Sequence, residues 1–230
     1  MSIMRIPAPV RQQVEDAVRA EILEGALPSG SRLVERDLCE KFQVSRPVVR
    51  EALRQLEAEG LLAHGPNGRV RVAAVSEEDV SHIYDLRRLL EPFAASQFVR
   101  HARDDERSAL QAAVEAMNAA IDADDCIGAV RHKNTFYSVL AAGCGNPVLE
   151  QSLRGLQNRI KLLRGVSMSV PGRLQNTARE ISAILDAINA RNENAAEATC
   201  LEHLHQAGLS TRRALSRATA KEKSRTVQAR

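Results

Sequence analysis

Apolar residues at helical spacing run through most of the chain, and the places where that spacing fails mark its organisation. Val10, Val14, Ala17, Val18 and Ile22 share one face of a helix predicted over 10–23, which Gly25 is placed to stop. After the turn-forming LPSGSRL, Leu38 and Phe42 lie four apart in VERDLCEKF, a second and shorter helix. QVS interrupts the pattern. A third helix is predicted from Ser45, whose side chain suits an N-cap, with Pro47 in the first turn where a missing N–H costs little. Its inner face is Val49, Ala52, Leu53 and Leu56, and Gly60 ends it. The period then drops to two: in LLAHGPNGRVRV, Val70 and Val72 alternate with Arg69 and Arg71 after an Asn67-Gly68 turn, which predicts strand, turn, strand.

From Ser76 onward nothing reads as a strand. Ser76 with Asp79 three residues on marks a helix start. Helices are predicted near 76–101, 104–122, 126–142, 147–164, 173–191 and 194–217, with a kink at Pro92. The breaks between them are RDD, ADD, GCGNP, SMSVPG and NEN. The predicted fold is therefore mostly α: a winged helix-turn-helix over residues 1–75, an all-helical bundle of six to seven helices over 76–217, and a basic tail over 218–230.

Composition narrows the classes. A chain of 230 residues can bury two cores, and no apolar run approaches the roughly 18 residues of a membrane span. MSIMRIPAPV lacks the apolar stretch of a secretory signal, so a cytoplasmic location is expected. Cys39, Cys126, Cys144 and Cys200 are far apart with no C-x-x-C pair, which favours isolated thiols over a zinc ribbon or a redox motif. Formal charge is +1 over residues 1–75, −4 over 76–211 and +6 over 212–230. The middle of the chain is thus a poor nucleic-acid surface.

The third helix carries Arg46, Arg50 and Arg54 four residues apart, on a side other than its apolar face. Arginine near the amino end of a helix matches guanine O6 and N7 in the major groove. An arginine stripe alone is more often a solvated face. The preceding short helix, the tight turn and a basic two-stranded hairpin make the joint pattern that of a DNA reader. Arg46 and Arg50 are the base-reading candidates, and Arg54 is placed for phosphate or water. His64 beside the hairpin is a candidate phosphate contact.

Through ILEGALPSGSRLVERDLCEKFQVSRPVVREALRQLEAEGLL and its wing, the chain resembles the GntR-type bacterial regulators over residues 10–75. The resemblance implies a dimer of winged helices on a palindromic operator. It also implies DNA contacts from Arg36, Arg46 and Arg50 and a wing tip, Pro66-Asn67-Gly68, that enters the minor groove, with Ser45, Pro47 and Arg69 alongside. Pro47-Val48 stands where the family usually has a threonine pair or Thr-Pro, so a hydroxyl contact is lost.

The helical remainder resembles the FCD effector domain of the FadR-like branch, through Arg87-x-x-Leu90-Glu91-Pro92, GNPVL at 145–149, EISAILDAI at 180–188 and HL at 203–204. Many such domains hold a divalent metal with one Asp and three His. The matching positions here are Lys133, Tyr137, Ile181 and His203, so of the four ligands only His203 remains, and an ammonium at the Asp position would repel a cation. No metal and no other cofactor are expected. Two arrangements stay open. In one, Lys133 replaces the metal as the charge that binds an acidic effector, with Tyr137, His203 and Arg87 beside it. In the other, Lys133 extends to solvent and Arg87 pairs with Glu91.

No nucleophile motif, phosphate loop or metal-binding set points to an enzyme. The sequence reads as a regulator, in the sense of a repressor, that binds double-stranded operator DNA as a homodimer and answers to a small, carboxylate-bearing metabolite. The alternative is a dimeric DNA-binding protein without an effector.

Overall fold

The computed structural model describes residues 9–23, 26–65, 67–73 and 76–228, with the side chains of 23, 157, 158 and 218–228 left out. Gly25 and Pro66, to which the sequence assigned a helix stop and part of the wing tip, lie outside the described residues, as do residues 1–8. The chain divides into two compact units, Met1–Val75 and Ser76–Arg230.

In the first unit, helices α1 (Val10–Leu23), α2 (Glu35–Phe42) and α3 (Arg46–Ala58) precede strands β1 (Leu62–His64) and β2 (Val70–Val72). Val14, Val18 and Ile22 of α1 meet Val49, Ala52, Leu53 and Leu56 of α3 in a core that Leu33, Leu38, Leu61, Leu62 and Val72 complete. The α2–α3 turn is tight because Gln43 takes a left-handed conformation, φ 56°, and the Val44 N–H returns to the Cys39 carbonyl. Helix α3 stops as its sequence dictates. Gly60 sits at φ 73°, its N–H bonds the Glu57 carbonyl, and the Leu61 N–H bonds that of Leu56, which together satisfy the last turn. The strands pair antiparallel in the register Leu62 with Val72 and His64 with Val70, closed by Gly68 at φ 66°.

In the second unit, six helices follow: α4 (Glu77–His101), α5 (Asp104–Asp122), α6 (Cys126–Ala142), α7 (Pro147–Met168), α8 (Arg173–Asn189) and α9 (Glu193–Gln228). Ser76 and Asp79 form a reciprocal capping box on α4, and Asn146 caps α7 through its side-chain oxygen. Helix α4 runs unbroken through Pro92. α4 and α8 both pack along α9, and α5 packs on α6. Phe98, Leu110, Met117, Phe136, Leu140, Ile181, Ile184, Ile188 and Leu204 fill the core between them.

The two largest boundary differences from the expected helices are at the ends of α7 and α9. Helix α7 runs past its expected end at Arg164 to Met168, because Ser167 and Met168 are buried and the stop falls to the Pro171-Gly172 turn, with Gly172 at φ 75°. The tail expected from 218 is instead a continuation of α9 in its backbone, to Gln228. After Gly208 that stretch has neither Gly nor Pro and is rich in Ala, Lys and Arg, all strong helix formers.

Candidate DNA-reading face and buried polar site

Ser45 stands at the N-cap of α3 with extended geometry, but its hydroxyl makes no capping bond, and Pro47 contributes no N–H to the first turn. The expected side-chain cap is therefore absent, and Ser45 remains exposed at the amino end of the helix. Arg46, Pro47, Arg50 and Arg54 are all exposed. Arg50 Nε lies 2.9 Å and 3.1 Å from the two carboxylate oxygens of Glu35 on α2. Arg36, on the outer side of α2, makes only long contacts, 3.4 Å to Asp37 and 3.8 Å to Glu40.

The wing presents Asn67, Gly68 and Arg69 to solvent. Arg71 turns away, donating to the Gly30 carbonyl at 2.9 Å. His64 is tied into the wing's base, with Nδ1 3.1 Å from the Gly68 carbonyl and Nε2 3.2 Å from Glu57. Glu35, Arg50, Arg54, Glu57 and His64 line a groove of about 250 Å³ between α3 and the wing. An exposed helix amino end with guanidinium groups beside it and a basic hairpin next to it can hold phosphates and present donors to base edges.

In the second unit, Arg87, Lys133, Tyr137 and His203 are all buried, from α4, α6 and α9. Arg87 forms the i,i+4 pair, donating from Nε and Nη2 to Glu91 at 2.8 Å and 3.1 Å. Lys133 does not reach solvent: it is wholly buried and its Nζ has no hydrogen-bond partner. The structure thus combines the Arg87–Glu91 pair of one open arrangement with the inward lysine of the other. Burial pushes the Lys133 amine well below its ordinary value, and Arg173, Arg164 and Arg87 push it the same way, with Glu180 opposing.

Sequence reasoning missed half of this cluster. Arg164 of α7 donates to Asn134 at 3.0 Å, stands 3.7 Å from Glu91, and lies 4.0 Å above the Tyr137 ring. Arg173, the first residue of α8, grips Glu180 through both terminal nitrogens at 2.6 Å. His203 Nδ1 is 2.5 Å from the same carboxylate. Burial, reinforced by Lys133, lowers His203 to about 3, so its neutral ring donates from Nδ1 to Glu180. Burial works against the Glu180 charge, but the bonds from His203 and Arg173 outweigh it and hold the carboxyl down at about 2. Burial likewise lowers Arg164 to about 10 against the pull of Glu91.

A signal for these residues was present. Arg164 falls on the same face as Leu153 and Ile160, and Arg173 and Thr177 precede Ile181, Ile184 and Ile188 at helical spacing. Charged residues on an apolar stripe are buried, and they need partners.

The donor set does not suit the divalent metal of related domains. Lys133, Tyr137 and Ile181 stand at three of the four positions, and the Nδ1 of His203 is engaged by Glu180. Among the described residues no three His, Cys, Asp or Glu side chains come together as a ligand set. His132 and His205, on the flanks of α6 and α9, are outside the buried cluster. The cavity bordered by Glu91, Tyr137, Leu153, Ile160 and Arg164 has about 10 Å³, room for roughly one water.

Residues 10–72 match the family described as bacterial regulatory proteins, gntR family, and residues 82–206 match the FCD domain. The chain is 26% identical over 200 residues to an uncharacterized HTH-type transcriptional regulator, YdhC, of Bacillus subtilis, covering 86% of this chain and 89% of that one. It is 27% identical to a probable D-xylose utilization operon transcriptional repressor of Paenarthrobacter nicotinovorans, over 85% of each. A solved structure of a GntR transcriptional regulator from Rhodococcus sp. RHA1 superposes with a TM-score of 0.77 at 26% identity, covering 87% of this chain and 96% of that one. With the winged unit and the helical unit both matched, the chain belongs to the GntR family of DNA-binding transcriptional regulators and carries an FCD domain.

Proposed function

We propose that this regulator is a repressor that binds a palindromic operator as a homodimer and releases it, or tightens on it, when a small anionic metabolite enters the helical unit. Residues 1–75 are the DNA-binding part, reading bases through Arg46 and Arg50. Arg36, Ser45, Arg69 and His64 would hold phosphates, and Asn67-Gly68 would enter the minor groove. Residues 76–217 are the effector-binding and dimerisation part.

The observation that carries the reading of the effector is Lys133. Holding a lysine at zero exposure without a partner costs stability, and an anionic ligand would supply the missing partner. An anion, with a carboxylate as the simplest case, meets Lys133 and Arg173 on one side and Arg87 and Arg164 on the other. The cavity beside Arg164 and Glu91 has room for roughly one water, so a ligand that reaches these groups has to part the side chains around them. That movement is what gives a ligand different affinities for two states, the minimum for control of DNA binding.

The dimer reading is supported by α4. Leu86, Leu89 and Phe93 recur at i, i+3 and i+7 on its outer face and are 44%, 71% and 44% exposed. A two-fold partner laid on that stripe would cover it. Among the described residues no helix is long and apolar enough to cross a membrane. The test is operator binding by fluorescence anisotropy with a panel of organic acids, sugars and amines. A shift caused by acids alone supports the reading, and a shift caused only by neutral or cationic compounds refutes it.

A further inference from the structure

The buried cluster holds more positive groups than the carboxylates beside them can neutralise. Arg87, Lys133, Arg164 and Arg173 converge on Glu91 and Glu180. Its donors without a hydrogen-bond partner include Arg87 Nη1, Arg164 Nε, Arg173 Nε, Lys133 Nζ and the Thr177 hydroxyl. A carboxylate has about four lone-pair sites, and an ammonium alone brings three hydrogens, so a single carboxylate cannot satisfy this set.

The donors also fall into two groups. Arg87 and Arg164 share Glu91 and lie 5.9 Å and 4.0 Å from the Tyr137 ring. Arg173, one turn before Thr177 on α8, binds Glu180, the carboxylate that also acts on Lys133 and binds His203. Tyr137 stands between the groups, its ring centroid 6.3 Å from that of His203.

We propose that the ligand of the helical unit is a small dianion, with one anionic group held by Arg87 and Arg164 and the other by Lys133 and Arg173. The proposal rests on the anionic-effector reading above and specifies the ligand's charge.

Charge balance gives it a signature. Lys133 faces Arg87 of α4, Arg164 of α7, Arg173 and Glu180 of α8 and the neutral His203 of α9, and of these Glu180 alone favours its charged form. In the empty site the amine is therefore biased toward neutrality, and three guanidiniums face two carboxylates. A monoanion would balance that set as it stands. A dianion balances it only when Lys133 takes up a proton, so dianion binding and proton uptake go together. Glu180 keeps 20% of its side chain exposed beside Arg173.

The experiment compares succinate, glutarate and adipate with their monoamides, which keep length and remove one charge, on the full chain. Thermal shift and calorimetry read affinity, and a pH-stat reads protons. The expected result is that at least one diacid binds about tenfold or more tighter than its monoamide, a difference of about 1.4 kcal/mol. Diacid binding should take up protons that monoamide binding does not, and that uptake should be lost in Lys133→Met and in Lys133→Gln, the polar variant that guards against a packing artefact. Equal affinity of diacid and monoamide without proton uptake overturns the dianion while leaving an anionic effector standing. No shift with any of these anions overturns both.

Discussion

Arg50 of α3 and Glu35 of α2 are joined across the α2–α3 turn, with Nε 2.9 Å from a carboxylate oxygen. Both side chains are substantially exposed, 60% and 36%, so the pair contributes little to stability, about 0–1 kcal/mol. Its consequence is placement. The guanidinium is held at the exposed face of α3, and a negative charge is held beside it where, on the proposed reading, a DNA phosphate would approach.

Glu35→Gln should therefore tighten binding to selected and random DNA alike by a few-fold at low salt, with the melting temperature nearly unchanged. Anisotropy titrations on both DNAs check this. Loss of discrimination with unchanged affinity for random DNA would show that Glu35 instead orients Arg50 for a base.

Arg50→Ala should relax base preference at one position in each half-site, because a bidentate guanine contact contributes about 1–3 kcal/mol of discrimination. Arg69→Ala should weaken binding to all sequences and reduce the slope of log affinity against log salt by about one. Equal losses on specific and random DNA for Arg50→Ala would remove it from base reading.

Lys133→Met should stabilise the empty protein, since it replaces a buried, unpartnered amine with a side chain of similar length that needs no partner. Folding depresses the Lys133 pKa below its ordinary 10.5, so between the two values the unfolded chain binds the extra proton. Stability of the wild type thus rises with pH across that window, and its deficit against Lys133→Met should shrink as pH approaches about 10.5. Urea midpoints of both proteins across that range check the sign. A deficit that grows with pH would mean that Lys133 gains a charge partner on folding.

Leu89→Glu places a charge at the most exposed position of the α4 stripe and should give a monomer by light scattering, with its helical content retained by circular dichroism. Affinity for a full palindrome should fall toward that for a half-site. A Leu89→Glu protein that remains dimeric would move the interface elsewhere.

The winged unit was largely legible because local rules fix it. Pro47 in the first turn and Gly60 after the last bracket α3, and the Asn67-Gly68 turn and the alternation at Val70 and Val72 set the hairpin, although the capping bond expected of Ser45 is not made. The helix breaks of the second unit were legible for the same reason, apart from the ends of α7 and α9. At α7 tertiary burial of Met168 outweighed the local signal. Individual site residues were harder to read. Lys133 and Arg87 could be singled out from position, but the partners of Arg164 and His203 lie far along the chain on other helices, 23 residues apart in the case of Glu180 and His203 and 30 in that of Arg164 and Asn134. Helical periodicity says that such a charge is inside; it does not say which charge meets it.

If Arg46, Arg50 and the wing read a two-fold DNA site, selection of bound sequences from random DNA by the full chain enriches a palindrome whose half-sites are spaced by the dimer, bound about a thousandfold tighter than random DNA at the same salt. Recovery of no common sequence, or of a single asymmetric element bound by one copy of the chain, would contradict it.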